Sequence, residues 1–340
     1  MIRSTICSWV VRTSLVAVAM AAGALGSQAQ ATFVKQSGAI ESTNIMETTP
    51  IVFQGNRYLF ESYRASPETT YGNMYLQLKN LETGEYSNPF AYGFSLGCAF
   101  VSGNQINVFA SDRTTDDWFH DIYRFTSTDG STWTRSANPV VARDGGEHLL
   151  NCSVCQDDQG YLMAYESDSP RSFCFRFARS SDLSTWTKLD APTFQGPGGN
   201  EYSACPCIRY SNGYYYVMYL AQNSVLNGQS GFATEMARSK DLVTWEFSDG
   251  NPILTPADGE GINNSDVDLF EYDGKTYVYY ATGDQQTWVN VKCAVYDGSM
   301  SEFFGSYFPA DVPEPSAVAI LLTGMLSMAG FAWRRGRTRI

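Results

Sequence analysis

The chain has 340 residues, of which 44% are hydrophobic, 14% aromatic and only 17% charged, so it can bury a substantial core and does not read as disordered. Its net charge is −12, and Arg3, Arg12, Arg334, Arg335, Arg337 and Arg339 lie at the two extremes, which leaves the body more acidic still. A polyanion would be repelled by such a surface, which disfavours nucleic acid as a partner. The 21 tyrosines, 20 phenylalanines and 29 glycines suit strands and tight turns better than helices.

At the N-terminus, Arg3 and Arg12 precede an apolar stretch from Leu15 to Leu25, and Ala29-Gln30-Ala31 supplies a small-x-small cleavage site. Residues 1–31 therefore read as a secretory signal peptide, the apolar run being short for a membrane span.

The body, about 40–309, repeats itself. Ser127-Thr-Asp129-Gly-Ser-Thr132-Trp133, Ser180-Ser-Asp182-Leu-Ser-Thr185-Trp186 and Ser239-Lys-Asp241-Leu-Val-Thr244-Trp245 share one pattern, with tryptophans 53 and 59 residues apart. Asn80 to Gly84 and Tyr296-Asp297-Gly298 are weaker copies. A glycine turn between alternating apolar runs precedes each, at Gly55, Gly103, Gly160, Gly213 and Gly274. Units of ~50 residues with four strands predict propeller blades. Five fit, near 40–92, 93–143, 144–196, 197–256 and 257–309, giving an all-β five-bladed β-propeller, with a sandwich as the alternative. The repeated Ser, Asp and Trp are predicted to serve the scaffold, because copies spread around a ring cannot all face one site.

These turns and the five units resemble the glycosidase propellers of glycoside hydrolase family 43, with family 32 as a relative. The resemblance implies an Asp base on blade one, an Asp modulator on blade three and a Glu acid on blade four, all at one mouth of the channel. The general chemistry is a carboxylate that activates water and a carboxylic acid that protonates the leaving oxygen. Mapped here, Glu47 stands for the base and Asn151 for the modulator, two departures from the pattern. Glu201 is the acid candidate, although strict spacing puts Ala204 there. Asp266 and Asp268 alternate on blade five and are predicted to share one strand face, as a catalytic or sugar-holding pair. His148, Tyr202, Trp288 and Asp284 are substrate-binding candidates around the rim, joined by Trp118 and His120.

Seven cysteines remain after Cys7 leaves with the signal, so at least one is unpaired. Cys152/Cys155 and Cys205/Cys207 have zinc-like spacing but fall on predicted inner strands of different blades, where small buried thiols are the ordinary reading. No metal is assigned, and calcium in the central channel stays open.

The C-terminus reads Val312-Pro313-Glu314-Pro315-Ser316, then an apolar run over 317–333, then Arg334-Arg335-Gly336-Arg337. Alone this predicts a transmembrane helix with its basic end cytoplasmic. Residues 312–340 also resemble the PEP-CTERM sorting tail of Gram-negative bacteria. That resemblance implies an exosortase acting at Pro313-Glu314-Pro315, brief membrane attachment, and release to the cell surface or extracellular matrix. Two functions fit these features: a glycoside hydrolase acting on an extracellular polysaccharide or oligosaccharide, and a non-catalytic carbohydrate-binding or matrix protein on the same fold. Sugar and linkage are not legible.

Overall fold

The computed structural model describes residues 33–36, 41–64, 73–115, 118–171, 173–190, 192–199, 201–225 and 228–308. The expected signal peptide, the 312–340 tail with Pro313-Glu314-Pro315, and the 317–333 helix lie outside these residues. Among the described residues no helix is long and apolar enough to cross a membrane.

After two short strands, β1 (Val34–Lys35) and β2 (Ser42–Thr43), the chain makes five antiparallel units in succession. The first is β3 (Ile45–Phe53), β4 (Asn56–Tyr63) and β5 (Tyr75–Asn80); the second is β6 (Phe94–Ser102), β7 (Gln105–Asp112), β8 (Ile122–Ser127) and β9 (Thr134–Arg135). The third is β10 (Leu149–Asp157), β11 (Gly160–Ser167), β12 (Cys174–Ser180) and β13 (Thr187–Lys188). The fourth is β14 (Ser203–Ser211), β15 (Tyr214–Ser224), β16 (Ser230–Ser239) and β17 (Glu246–Phe247). The fifth is β18 (Asn263–Tyr272), β19 (Lys275–Gly283) and β20 (Val289–Tyr296), followed by the helix α1 (Met300–Gly305). The first strands of the units pack in a closed cycle, β3 on β6, β6 on β10, β10 on β14, β14 on β18, and β18 back on β3.

Local chemistry explains the units. Asn212-Gly213 and Asp273-Gly274 hold φ of 49° and 79°, and 50° and 70°, the left-handed pair that lets a two-residue turn follow the strand twist. In the next turn Asp129 Oδ1 accepts from Ser131 N and Thr132 N, while Ser127 Oγ accepts from Gly130 N. The same bonds recur at Asp182 with Ser180, and at Asp241 with Ser239. The tryptophans sit just before two-residue outer strands and pack across to the preceding unit. Trp133 stacks on Phe90 at 3.9 Å, Trp186 meets Phe109 edge-on, and Trp245 packs on Phe177 and Phe194.

The expectation of four strands in every unit needs correcting at both ends. The first unit has only the single bridges Leu76–Phe90 and Lys79–Tyr86 in the outer position, and its Asn80 to Gly84 turn lacks the tryptophan. In the fifth, the chain enters α1 instead of an outer strand. Ser299 and Glu302 cap each other's backbone there, and Phe303 and Phe304 are buried. The vacant edge of β20 is filled by β1 and β2 from the start of the chain, with Val34 opposite Val295 and Ser42 opposite Val291.

Lys35 fixes that closure. Its Nζ reaches Glu260 Oε2 at 2.5 Å, Asn264 Oδ1 and Thr255 O at 2.6 Å. Burial would raise the Glu260 carboxyl, yet Lys35, with the Ala257 N–H, holds it down to about 2. Replacing Lys35 with Met leaves this carboxylate short of its main partner. A loss of about 1–3 kcal/mol in urea unfolding is expected, less than for a fully buried pair because Lys35 is a quarter exposed and Lys292 still reaches Glu260.

Candidate active site

Each inner strand carries a register irregularity near its start. The shifts fall between Ile45 and Thr48, Ser95 and Cys98, Leu150 and Cys152, Ala204 and Cys207, and Ser265 and Asp268. Such bulges bend a strand and re-aim a side chain. Leu96, Cys205 and Asp266 take positive φ of 54°, 53° and 51° at these points. The residues so displaced meet: Glu47, Gly97, Asn151, Cys205 and Asp266 line one small cavity, together with Thr48, Cys152 and Asp268. All five units contribute.

Burial raises the Glu47 carboxyl to about 8, and the negative charge of Asp266 adds to this; Arg64 opposes it. Asp266 is also raised by burial, with Cys205, the Ser265 hydroxyl and Arg64 opposing. A third carboxylate stands behind the cavity wall. Glu166 Oε2 accepts from Asn151 Nδ2 at 2.8 Å and from Cys205 N at 3.0 Å. Burial raises Glu166 to about 7 in spite of these bonds, and Asp266 adds to the rise. Burial and the carboxylates Asp266, Glu166 and Glu47 push the Cys205 thiol far up, so it stays neutral. Thr48 Oγ1, Asn151 Oδ1 and Asp266 Oδ1, all on residues that line the cavity, are buried without a hydrogen-bond partner, which leaves polar atoms for a ligand.

Asp266 and Asp268 both line the cavity, but the bulge breaks their alternation and Asp268 is tied to Arg209. Glu201, the expected acid, is not among the residues lining this cavity; it is exposed just before β14, its side chain near Gly196. Tyr202 is 39% exposed, lies edge-on to Phe173 and packs near Phe232. Burial, with Cys205, Glu166 and Asp266 nearby, raises its hydroxyl. Asp284 accepts from the N–H groups of Gln286, Thr287 and Trp288, so its carboxylate serves its own loop, and Trp288 packs beside Gly261. Gln285 from that loop donates to Asn263 Oδ1. His148 Nδ1 pairs with Asp168 Oδ2 at 2.5 Å, and its ring lies 4.9 Å from that of Trp118, which is 57% exposed. Glu147 is buried and bound to Arg176 and Ser167, a structural arrangement.

Calcium prefers six to eight oxygen ligands. The layer below the bulges offers Thr48, Cys98, Cys152, Cys207 and Asp268, three of them thiols, and Asp268 is already paired with Arg209. Among the described residues no group of three His, Cys, Asp or Glu side chains is placed to hold a metal. The donors do not fit a channel calcium. All seven cysteines of the body are free thiols.

Residues 138–302 match the model of the family described as Glycosyl hydrolases family 43. Among curated proteins none matches the sequence. Solved structures similar in fold include a thermostable family 43 glycoside hydrolase, 16% identical with a TM-score of 0.59 over 77% of this chain and 92% of that one. Another is a family 43 β-xylosidase/α-arabinofuranosidase from a compost microbial metagenome, crystallised with xylotriose in a calcium-free form, 15% identical with a TM-score of 0.55 over 78% and 95%. A third is a family 32 β-fructofuranosidase of Bombyx mori, 15% identical with a TM-score of 0.55 over 83% of this chain and 66% of that one. The body of the chain thus has the propeller-like all-β fold of these glycosidases, and its part from 138 to 302 is similar in sequence to the family 43 glycosyl hydrolases.

Proposed function

We propose that the body is a five-bladed propeller glycoside hydrolase in which Glu47 is the general acid and Asp266 the general base. The observation that carries this reading is the meeting of Glu47, from the first unit, and Asp266, from the last, in one cavity with linked proton affinities. Burial, and after it the charge of Asp266, favours the protonated form of Glu47, which is the form a general acid needs. Glu47 gives that proton to the glycosidic oxygen as the C–O bond breaks, and Asp266 takes one from the water that adds to the anomeric carbon. This reverses the sequence-based role of Glu47 as base and moves the partner carboxylate from Glu201 to Asp266. Glu166 acts from behind as the modulator. The resemblance places that carboxylate on the first strand of blade three, where Asn151 stands; here it projects from β11 and reaches the site through Asn151.

The substrate class proposed is a neutral oligosaccharide or polysaccharide outside the cell, since the cavity is walled by acidic groups. Export through the signal peptide, processing by an exosortase at the tail and residence at the cell surface or in the matrix complete the reading. Incubating the purified body with xylan, arabinan, fructan and mannan panels, and assaying new reducing ends, tests it. A second reading, a carbohydrate-binding protein without catalysis, is favoured by Asn151 and Cys205 standing in the modulator and acid regions. It wins if glycans are retained on affinity gels and none is cut. In either case the Trp118 face beside His148 is a sugar-stacking surface. Trp118→Ala is expected to weaken oligosaccharide affinity about tenfold with no change in unfolding midpoint, as read by calorimetric titration.

A further inference from the structure

Below the carboxylate cavity the channel meets a second, larger hollow at the opposite ends of the inner strands. It is lined by Ile51, Phe100, Val154, Phe270, Met300 and Arg209, among others. Arg209 and Asp268 stand between the two: Asp268 faces the upper cavity and Arg209 the lower one. Their side chains form an ion pair through Arg209 Nη2. The same nitrogen donates to Leu269 O at 3.0 Å, while Nη1 donates to Ser153 Oγ at 3.3 Å and to Ile208 O at 2.7 Å. One guanidinium thus ties the third, fourth and fifth units across the channel. Asp268 Oδ1 also accepts from Leu269 N at 2.6 Å and from the Cys207 thiol at 3.5 Å.

We infer that Arg209 is the resident cation of the channel, a side-chain plug that occupies the place a divalent ion would need. An oxygen-seeking ion would have to displace a guanidinium whose neighbours on the upper side are thiols and a carboxylate that is already paired. Burial disfavours the charge on Arg209, and the Asp268 carboxylate beside it opposes that, so the guanidinium stays protonated. Burial likewise pushes the Asp268 carboxyl up and Arg209 pulls it back, so the two depend on each other. The septum they form is therefore independent of metal.

The test is thermal unfolding of the purified protein in 5 mM CaCl₂, in 5 mM MgCl₂ and in 5 mM EDTA, alongside metal analysis after gel filtration. The midpoint is expected to agree within about 1 °C across the three, with no stoichiometric calcium. A rise of about 5 °C or more in CaCl₂, as a site of micromolar affinity would produce, overturns the inference, and so does one calcium per chain. Arg209→Met, Asp268→Asn and the double variant provide the second arm. Each single change is expected to lower the midpoint by several degrees and the double change to lower it by less than the two together. Strict additivity of the two overturns the inference. Single variants too unstable to purify leave the metal titration of the unaltered protein to decide.

Discussion

Glu47→Gln is expected to abolish cleavage of unactivated glycans, by 10²–10⁴-fold in kcat/KM, yet to retain much of its activity toward aryl glycosides whose leaving group needs no proton. Asp266→Asn is expected to lose activity toward both kinds of substrate by a similar ~10²–10⁴-fold factor, because activation of the water is needed whatever leaves. Glu166→Gln should act more weakly. Gln keeps an acceptor for Asn151 and Cys205 but removes the charge, so the main effect is a shift in the pH profile. The steady-state rates of three variants on two substrates thus separate acid, base and modulator. Equal losses by Glu47→Gln on both substrates would remove its assignment as the acid.

The same substitution is expected to make the protein more stable. Glu47 titrates at about 8 in the folded chain against 4.5 for the free group. The folded state therefore binds more protons than the unfolded state between these values, and stability falls as pH rises through that window. Below pH ~4.5 the penalty is absent; at pH 8 it is on the order of 2–5 kcal/mol. Glu47→Gln carries no such penalty. Its unfolding free energy should exceed that of the unaltered chain at pH 8, and the two should converge toward pH 4.5, as measured by urea denaturation at each pH. A variant less stable than the parent at pH 8 would mean that the carboxylate is held ionised by favourable contacts. Strain of this kind, kept at the cost of stability, is what a proton-transfer site requires.

The repeat was the legible part of this chain. Ser-x-Asp turns, glycine hairpins and tryptophans at regular spacing dictate the units because each acts locally, through hydrogen bonds two or three residues away or through packing on the next unit. Ring closure was not legible. Val34 and Ser42 pair with residues some 250 positions away, and nothing in a two-residue strand announces its partner. At the site, Glu47, Asn151 and Asp266 could be found because they sit at inner-strand starts. The displacement of Glu201 could not, because the bulge at Cys205-Pro206 sets which residue faces the channel and no residue type specifies it. Glu166 was missed as a member of an apparently ordinary second strand, Gly160–Ser167. Its signal was a lone carboxylate in an otherwise apolar run, and the same feature at Glu61 is taken up by hydrogen bonds from Ser42 and Gln77. Sequence marks both as unusual, while only the three-dimensional arrangement distinguishes the buried support from the group that reaches the cavity.

The most direct trial is the pH dependence of kcat/KM on a glycan that the protein cleaves. With Glu47 raised to about 8 and Asp266 also raised by burial, the profile should be a bell whose optimum lies above the ordinary carboxylate range, its limbs belonging to the interacting set and not to single residues. An optimum near pH ~5, with both limbs at ordinary carboxylate values, would mean that these acids do not share protons in a buried cavity.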